Sequence, residues 1–402
     1  MKSGPRILYV VSCWPCQNAF GGQLRTLHIG RALKKIGQVS VAVVSSDAAT
    51  PEAIERTSAE FTVEPPVKVE VLPNHGLVKR FRWAVDKHFL NVHGCIAEAA
   101  DRARLLRRMA DFDLVWVGNS RTPNILNQWQ WRRSVLDLDD VPSTFQRTVW
   151  KNGAGLKEKW KARLQMQLLK RRELAWRERF STLSVCSESD REYLGGGEHI
   201  HVIPNGFERP AEDPVRQPAD PPRIGFIGLY SYQPNLEGMK WFLRECWPLV
   251  KKEIPNAHLR LIGKDTDGPL KPAAPDVDAL GFLADPAAEI ASWSAMIVPI
   301  LHGAGTRVKI ADAFSRKCPL VSTRLGAFGY DVQSGRELLL ADRPAEFAEA
   351  CISLMRDRSA GQAMAERAFA AFKQKWTWDA IEPRIQEAAD DALRQSEAAI
   401  AG

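Results

Sequence analysis

Residues 296–314 read MIVPILHGAGTRVKIADAF and join an apolar run, a pair of glycines and an amphipathic stretch. The apolar run at 296–300 is typical of a strand that is buried on both faces of a parallel sheet. Gly303 and Gly305 lie three and five residues after the end of this run. The apolar residues after Arg307 recur at helical spacing. A strand, a glycine turn and a helix in this order are the building block of a doubly wound α/β domain.

The same alternation of apolar strands and amphipathic helices recurs along the rest of the chain. The other strand-like runs cover residues 7–11, 39–44, 67–72, 114–117, 134–138, 182–186, 224–229, 258–262, 320–322 and 338–340. Helical stretches such as 96–110 and 156–179 separate many of these runs. Because apolar strands that alternate with helices build parallel sheets covered on both faces, we predict an α/β protein with two doubly wound, Rossmann-like domains that face a central cleft.

The composition of the chain changes between residues 210 and 222, where five prolines occur. Such a stretch is typical of an interdomain linker. We therefore divide the chain into an N-terminal domain at 1–207, a linker at 208–222, a C-terminal domain at 223–375 and a final helix at 376–402. We expect the final helix to return to the N-terminal domain.

The composition is that of a globular protein, since 45% of the 402 residues are hydrophobic and 26% are charged. The longest apolar runs have about eight residues, whereas a membrane-spanning helix needs about 20. The N-terminal run is too short for the apolar core of a signal peptide, so we expect a cytoplasmic protein, free or at the inner face of the membrane.

The seven cysteines are scattered and odd in number, which argues against a disulfide framework. Cys13 and Cys16 have C-x-x-C spacing, but a zinc site would need a second pair, so we expect no metal site.

Positive charge is concentrated in the first half of the chain. Residues 1–207 contain 31 Lys and Arg against 21 Asp and Glu, and residues 147–179 contain eleven basic residues against three acidic ones. Tryptophan and leucine recur among these cations at roughly four-residue intervals, as in a helix that lies in a membrane interface. We therefore expect peripheral contact of 147–179 with an anionic membrane, and ordinary packing of this helix on the first sheet is the alternative.

The glycine turn at 303–309 has the chemistry of an anion site. Glycines let a ligand approach the backbone closely, and the free amides at the start of a helix favour a negative charge. Arg307 and Lys309 add two cations at the same end, which suits a diphosphate better than a single carboxylate. A tight turn with solvated basic side chains is the alternative. The spacing matches neither a Walker loop nor a G-x-G-x-x-G dinucleotide turn.

A second glycine pair, Gly21 and Gly22, follows the first predicted strand, with Arg25 close behind. We expect this loop to hold an acceptor or a sugar phosphate close to the backbone, with Arg25 adding charge. A turn with a surface arginine is the alternative. Asp139 and Asp140 follow the strand at 134–138 and either contact a substrate or cap the next helix.

Several segments, in this order, resemble those of family 4 retaining glycosyltransferases of the two-Rossmann (GT-B) architecture. They are Gly21-Gly22 with Arg25, VIPNG at 202–206, FIG at 226–228 with Pro234-Asn235, LIG at 261–263, GFLAD at 281–285, residues 303–314 with their continuation at 318–323, and GAFG at 326–329. The resemblance implies an enzyme that transfers a hexose from a nucleotide sugar to a saccharide or lipid-linked saccharide acceptor, in the synthesis of a cell-surface polysaccharide or glycolipid. It also implies retained anomeric configuration, no cofactor, no required metal and no nucleic-acid partner.

The same resemblance distributes the candidate site residues over the two domains. The donor-binding residues are Gly228, Gly303, Gly305, Thr306, Asp312 and Gly326. The catalytic residues are Asp139, Arg307 and Lys309, and the acceptor or sugar-phosphate loop contains Gly21, Gly22, Arg25 and Asp140. The cations and the turn amides suit the negative charge that develops on the diphosphate when the sugar leaves.

Two departures from the family pattern leave alternative functions open. Ala304 stands where many members have a glutamate, and Asp139 occupies the position of a histidine near the reacting sugar. These changes point, as one alternative, to a nucleotide-sugar-binding protein of impaired activity. A sugar-nucleotide epimerase of the same architecture is another alternative, which would require an acid and a base within the donor site.

Overall fold

The computed structural model describes residues 4–17, 21–45, 49–72, 76–90, 94–153, 155–266 and 275–401. The chain divides into two compact units. The first unit comprises Met1–Ser143, Arg163–Asn205 and Ile381–Gly402, and the second comprises Thr144–Ala162 and Gly206–Ala380. Residues 144–162, which we expect from the sequence in the N-terminal domain, therefore belong to the second unit.

The first unit is built on a sheet of nine strands within the described ranges. The strands are β1 Arg6–Val11, β2 Gln38–Ser45, β3 Thr62–Val63, β4 Val67–Val71, β5 Cys95–Ala97, β6 Leu114–Gly118, β7 Trp131–Asp137, β8 Phe180–Val185 and β9 Ile200–Val202. Their order across the sheet is β5-β4-β2-β1-β6-β7-β8-β9, with β3 paired to β2. Every pair is parallel except β4 with β5.

Helices lie between most successive strands of this sheet. They are α1 Gly21–Ile36, α2 Pro51–Glu60, α3 Leu77–Val85, α4 Ala99–Arg108, α5 Thr122–Ile125, α6 Pro142–Asn152, α7 Leu156–Leu174, α8 Trp176–Arg179 and α9 Glu188–Tyr193. A 3-10 turn, Met109–Asp111, follows α4. Most of α6 and the first part of α7 belong to the second unit.

The second unit contains a six-stranded parallel sheet among its described residues. Its strands are β10 Arg223–Ile227, β11 His258–Ile262, β12 Val277–Gly281, β13 Ala295–Val298, β14 Leu320–Ser322 and β15 Leu339–Leu340, in the order β12-β11-β10-β13-β14-β15. The helices of this unit are α10 Gln233–Trp241, α11 Trp247–Glu253, α12 Ala287–Ala291, α13 Val308–Ser315, α14 Pro344–Arg356 and α15 Arg358–Lys375. The last helix, α16 Trp378–Ala401, begins in this unit and belongs mostly to the first. A π-helical turn, Phe242–Cys246, joins α10 to α11.

Each sheet winds in two directions from one central strand. β1 pairs with β2 on one side and with β6 on the other, and β10 pairs with β11 and β13 in the same way. The central strands are mostly buried, which explains their continuous apolar sequence. In sheets of this kind ligands bind beyond the carboxyl ends of the strands, at the point where the winding reverses. Ligand sites are therefore expected beyond Val11 and beyond Ile227.

The predicted α/β class with two Rossmann-like domains is confirmed, because each unit has a sheet of parallel strands, with β5 as the one antiparallel strand described, and helices between most of its strands. Several elements differ from the sequence prediction, since the strands β3, β5, β9 and β12 lie outside the predicted strand runs. The stretch at 96–110 begins with β5, where Ile96 pairs with Glu70, before α4 starts at Ala99. The apolar runs also fail to reveal β12, because its sequence VDALG is short and contains a charged residue.

The linker and the final helix are both tied to a unit by hydrogen bonds. In the linker, the backbone amides of Gln217 and Ala219 donate to carbonyl oxygens of the second unit, over 3.0 and 2.8 Å. From Ile381 onward α16 belongs to the first unit, where Glu382 pairs with Lys35 at 2.5 Å.

No helix in the described part of the chain is long and apolar enough to cross a bilayer.

Candidate functional site

The glycine turn of the second unit lies at the carboxyl end of β13, next to the central strand β10. Gly303 has φ +144° and Gly305 has φ +69°, backbone conformations that side chains with a Cβ rarely adopt. Arg307 is extended and immediately precedes α13. The chain therefore turns sharply at the two glycines, and the start of a helix faces the end of the sheet.

The Arg307 guanidinium folds back onto the turn that precedes it. Its Nη1 donates to the carbonyl oxygens of Ala304, at 2.8 Å, and of Gly305. The backbone carbonyl of Arg307 in turn accepts a hydrogen bond from the Tyr330 hydroxyl at 3.0 Å. Arg307 therefore holds the shape of the turn and places its positive charge beside Gly303, where a Cβ would collide with the guanidinium.

Lys309 reaches from α13 to the end of β10. Its Nζ donates to Asn235 Oδ1 at 2.8 Å and lies 4.1 Å from the centre of the Phe226 ring. Burial, and to a lesser degree the neighbouring positive charge of Arg307, lower the pKa of Lys309 to about 7. An anion bound beside this ammonium group would favour its charged form.

Gly228 and Asn235 shape the place that Lys309 occupies. A Cβ at Gly228 would lie 2.9 Å from Asn235 Nδ2 and 3.2 Å from Lys309 Nζ, so a glycine is needed there. The Asn235 amide donates to the Leu229 carbonyl at 2.8 Å, which turns its oxygen toward Lys309. Asn235 is a site residue that strand and helix periodicity does not reveal, although it is part of the family resemblance.

A helix from earlier in the chain also contacts the glycine turn within the second unit. The backbone amide of Gly303 donates to the Thr148 hydroxyl at 3.1 Å, and Asn152 Nδ2 donates to the Leu301 carbonyl at 3.1 Å. Both side chains come from α6. No sequence pattern predicts a contact across 155 positions, so Thr148 is absent from the sequence-based site.

The remaining residues that the sequence predicts to bind the donor are buried around the same turn. Thr306 is buried, and Gly326 is packed so closely on the ends of β13 and β14 that a Cβ would collide with them. Asp312 is buried on α13 and pairs with Arg316 at 2.6 Å. Burial raises the pKa of the Asp312 carboxyl group, while Arg316 and Lys309 oppose that rise. The expected contact of Asp312 with a ribose stays a prediction.

The first unit has a cavity of about 220 Å³ at the carboxyl ends of β1, β6 and β7. Its position is the one where a doubly wound sheet binds ligands. The residues that line it are Tyr9, Val11, Ser12, Cys13, Gly22, Gln23, Arg25, Thr26, Gly118, Asn119, Asp137 and Asp139. The structure therefore brings Gly22, Arg25 and Asp139 together at one cavity, and their roles toward a substrate stay predictions.

Arg25 differs from the expected anion ligand because a carboxylate already balances its charge. Its Nη2 and Nε donate to the two oxygens of Asp137 at 2.6 and 3.1 Å, and Nη1 donates to the Ile203 carbonyl at 3.0 Å. Burial alone would lower the pKa of the guanidinium, but Asp137 raises it above its ordinary value. Arg25 therefore links α1 to the ends of β7 and β9 and is not a surface arginine.

Asn205 connects this buried ion pair to Asp139. Its Oδ1 accepts from Arg25 at 3.1 Å, and its Nδ2 donates to Asp139 Oδ1 at 2.7 Å. Asp139 is half-buried, and a Cβ at Gly22 would lie 3.8 Å from its other oxygen, Oδ2. Asp140 is exposed, and Gly21 begins α1. Asp139 is thus a second carboxylate, besides Asp137, that is held in a fixed position at the cavity.

The basic segment at 147–179 separates into two parts. Near its end, Trp176 and Arg179 are buried, and Arg172 donates to the carbonyls of Trp83, Asp86 and Phe89 at 2.6–3.0 Å. This part packs on the first unit, which supports the packing alternative. Earlier in α7, the large apolar side chains Leu156, Trp160 and Leu164 are exposed. Contact of the segment with a membrane stays a prediction.

The fold defines a protein of two Rossmann-like domains. Comparisons with known proteins show which family and which solved structures the chain is similar to. Residues 221–357 match the family described as Glycosyl transferases group 1. A relative from Klebsiella pneumoniae, an uncharacterized 44.6 kDa protein in cps region, is 29% identical over 161 residues. That alignment covers 38% of this chain and 42% of the relative, less than half of either.

Two solved structures share the fold at low sequence identity. HepE from Anabaena, in complex with UDP and glucose, has a TM-score of 0.62 and 16% identity, over 96% of this chain and 99% of that one. Sucrose-phosphate synthase from Thermosynechococcus elongatus has a TM-score of 0.68 and 15% identity, over 98% and 100%. Residues 221–357, which lie in the second unit, are therefore similar to a glycosyltransferase group 1 domain, and the two solved structures share the fold of the whole chain.

Proposed function

We propose that this protein is a retaining glycosyltransferase that moves a hexose from a nucleotide sugar to a saccharide or lipid-linked saccharide acceptor, in cell-surface polysaccharide or glycolipid synthesis. One observation carries the proposal. The segment that matches the glycosyltransferase family contains Gly228, Asn235 and the turn at 303–309, which meet at the carboxyl edge of the second sheet. This is the edge at which doubly wound domains bind nucleotides.

The donor reaction breaks the bond between the anomeric carbon and the diphosphate oxygen, and the bonding electrons leave with that oxygen. The protein groups that help are those that stabilise the growing negative charge without having to reorient. Lys309, held by Asn235, and the amides at the start of α13 provide such groups. Arg307 holds the turn in shape. These groups belong to the chain itself, and we propose that no metal ion is required.

The acceptor reaction needs a group that takes up the proton of the attacking hydroxyl or stabilises positive charge on the sugar. Asp139 suits this role because it lies at the cavity of the first unit and Asn205 fixes one of its oxygens. A carboxylate at hydrogen-bonding distance from a hydroxyl is an effective general base. We therefore propose that the acceptor binds in this cavity, with Gly22 leaving room beside Asp139.

A panel of nucleotide sugars tests this function. The purified protein is mixed with UDP-glucose, GDP-mannose or ADP-glucose, and the melting temperature and the released nucleoside diphosphate are measured. We expect one donor to raise the melting temperature and to release its diphosphate slowly without acceptor. We choose a UDP sugar first because the Anabaena neighbour holds UDP.

The outcomes separate the alternatives. Binding without release would indicate a nucleotide-sugar-binding protein, and a changed sugar that stays on the diphosphate would indicate an epimerase. Arg307→Ala should lower the release rate about 100-fold or more. Arg244→Ala is the matched control, since this side chain is 72% exposed on the π-helical turn. If no nucleotide sugar binds, or if Arg307→Ala is as active as the control, the proposal is wrong.

A further inference from the structure

Helix α3 presents an unusual row of apolar side chains to solvent. None of its nine residues is buried. The exposed fractions are 82% for Leu77, 73% for Val78, 68% for Phe81 and 50% for Val85. Isolated apolar side chains on a surface are common, but four on one short helix are typical of a surface that binds a partner.

The spacing of these residues places them on one side of the helix. At about 100° per residue, the four positions fall within an arc of about 100°. Arg80 and Arg82 flank this arc on its two sides. The apolar stripe is therefore narrow and has a cation on each edge, as in helices that lie flat in a membrane interface.

The opposite side of α3 is fixed to the first unit. Trp83 is half-buried, and the Arg172 guanidinium lies 5.3 Å from the centre of its ring and donates to its carbonyl oxygen at 3.0 Å. Farther along, Lys87 pairs with Glu178 of α8 at 2.5 Å. These contacts fix the side of the helix opposite the apolar stripe, and the stripe itself faces solvent.

Charge decides which partner fits the stripe. Residues 77–90 contain one acidic side chain, Asp86, and four basic side chains, Lys79, Arg80, Arg82 and Lys87, of which Lys87 is paired with Glu178. Long arginine side chains can lay their methylene groups along an apolar surface while the charged ends reach anionic headgroups. A second copy of this chain would bring like charges together, which disfavours self-association through α3.

We propose that α3 is a membrane-docking helix whose Leu77, Val78, Phe81 and Val85 enter the headgroup region of an anionic lipid bilayer. A helix of nine residues is about 14 Å long, so it lies on the bilayer and does not span it. This assignment places the contact on α3, outside the basic segment at 147–179. It does not depend on the proposed glycosyltransferase activity, because its test measures binding alone.

Vesicle co-sedimentation of the full chain tests the proposal. One set of vesicles is phosphatidylcholine only, and the other contains about one third phosphatidylglycerol. We expect binding to the anionic vesicles that weakens with salt. Leu77→Ser with Phe81→Ser should lower the partition coefficient more than about tenfold, because two large apolar groups no longer enter the interface. Arg80→Gln and Arg82→Gln should each lower it roughly fivefold on anionic vesicles.

Two controls keep the result specific. Ile54→Ser with Val215→Ser removes two exposed apolar side chains elsewhere, at 40% and 72% exposure, and should leave binding unchanged. Circular dichroism and thermal melting check that each variant is folded. The proposal is overturned if the wild-type chain ignores anionic vesicles, or if the Leu77 and Phe81 double variant binds as well as the control. Concentration-dependent dimers that the double variant abolishes, without vesicle binding, would assign the stripe to a second copy instead.

Discussion

Lys309 should couple the affinity for a nucleoside diphosphate to pH. In the free protein, burial and the charge of Arg307 keep the pKa of Lys309 at about 7, so near pH 8 most of these side chains are neutral. A diphosphate beside the ammonium group favours the protonated form and raises the pKa in the complex. Binding above pH 7 should therefore take up a proton.

The sign and the size of the effect follow from linkage. Below pH 7 Lys309 is protonated with or without ligand, so it adds no pH dependence. Above pH 7 the free protein must first gain a proton, and affinity should fall up to tenfold for each pH unit until the pKa of the complex is reached. The terminal phosphate, with a pKa of about 6, is already ionised in this range and should contribute little.

Isothermal titration of UDP measures this coupling. Titrations at pH 7, 8 and 9, each in two buffers with different ionisation enthalpies, give the affinity and the number of protons taken up. Lys309→Arg should flatten the profile because a guanidinium stays charged throughout. Lys309→Gln should lower the affinity at pH 7 and also remove the slope, whereas the exposed Lys252→Gln should keep it.

Two results would refute this reasoning. The first is a wild-type UDP affinity that is constant between pH 7 and pH 9. The second is a slope that persists in Lys309→Gln, since the titrating group would then be a different residue. Either result would mean that Lys309 does not meet the diphosphate.

Three further predictions concern the rest of the two sites. Asp139→Asn should lower turnover about 100-fold or more and leave UDP affinity within about twofold, and a normal rate with a purified acceptor would exclude it as the base. Gly228→Ala should weaken UDP binding at least about tenfold, because the added Cβ displaces Asn235 or Lys309. The control is Gly155→Ala, where a Cβ meets nothing within 4 Å, and equal affinity of the two variants would contradict the geometry. Asp137→Asn should cost about 3–5 kcal/mol in urea unfolding, since it leaves the Arg25 charge buried without its counter-ion, and a change under about 1 kcal/mol would show that the pair is dispensable.

The sequence predicts those parts of the protein whose interactions are local. The strands at 7–11 and 258–262 and the turn at 303–309 are found in place because strand, turn and helix lie next to each other in the chain. The close approach of Gly228 to the site also follows from its position at the end of a strand.

Pairings between distant residues are the part that periodicity does not predict. Arg25 meets Asp137 across 112 positions, and this ion pair turns an expected surface cation into a buried one. Thr148 meets Gly303 across 155 positions, which moves part of α6 into the second unit. The apolar stripe of α3 is also invisible in sequence, because its spacing equally fits a helix packed on a sheet.

A crystal structure of the protein with UDP tests the central claim most directly. We predict diphosphate oxygens within hydrogen-bonding distance of Lys309 Nζ and of the backbone amides at the start of α13, next to Gly303 and Gly305. Density for UDP in the cavity of the first unit, or at any position remote from Lys309 and the glycine turn, would contradict the claim.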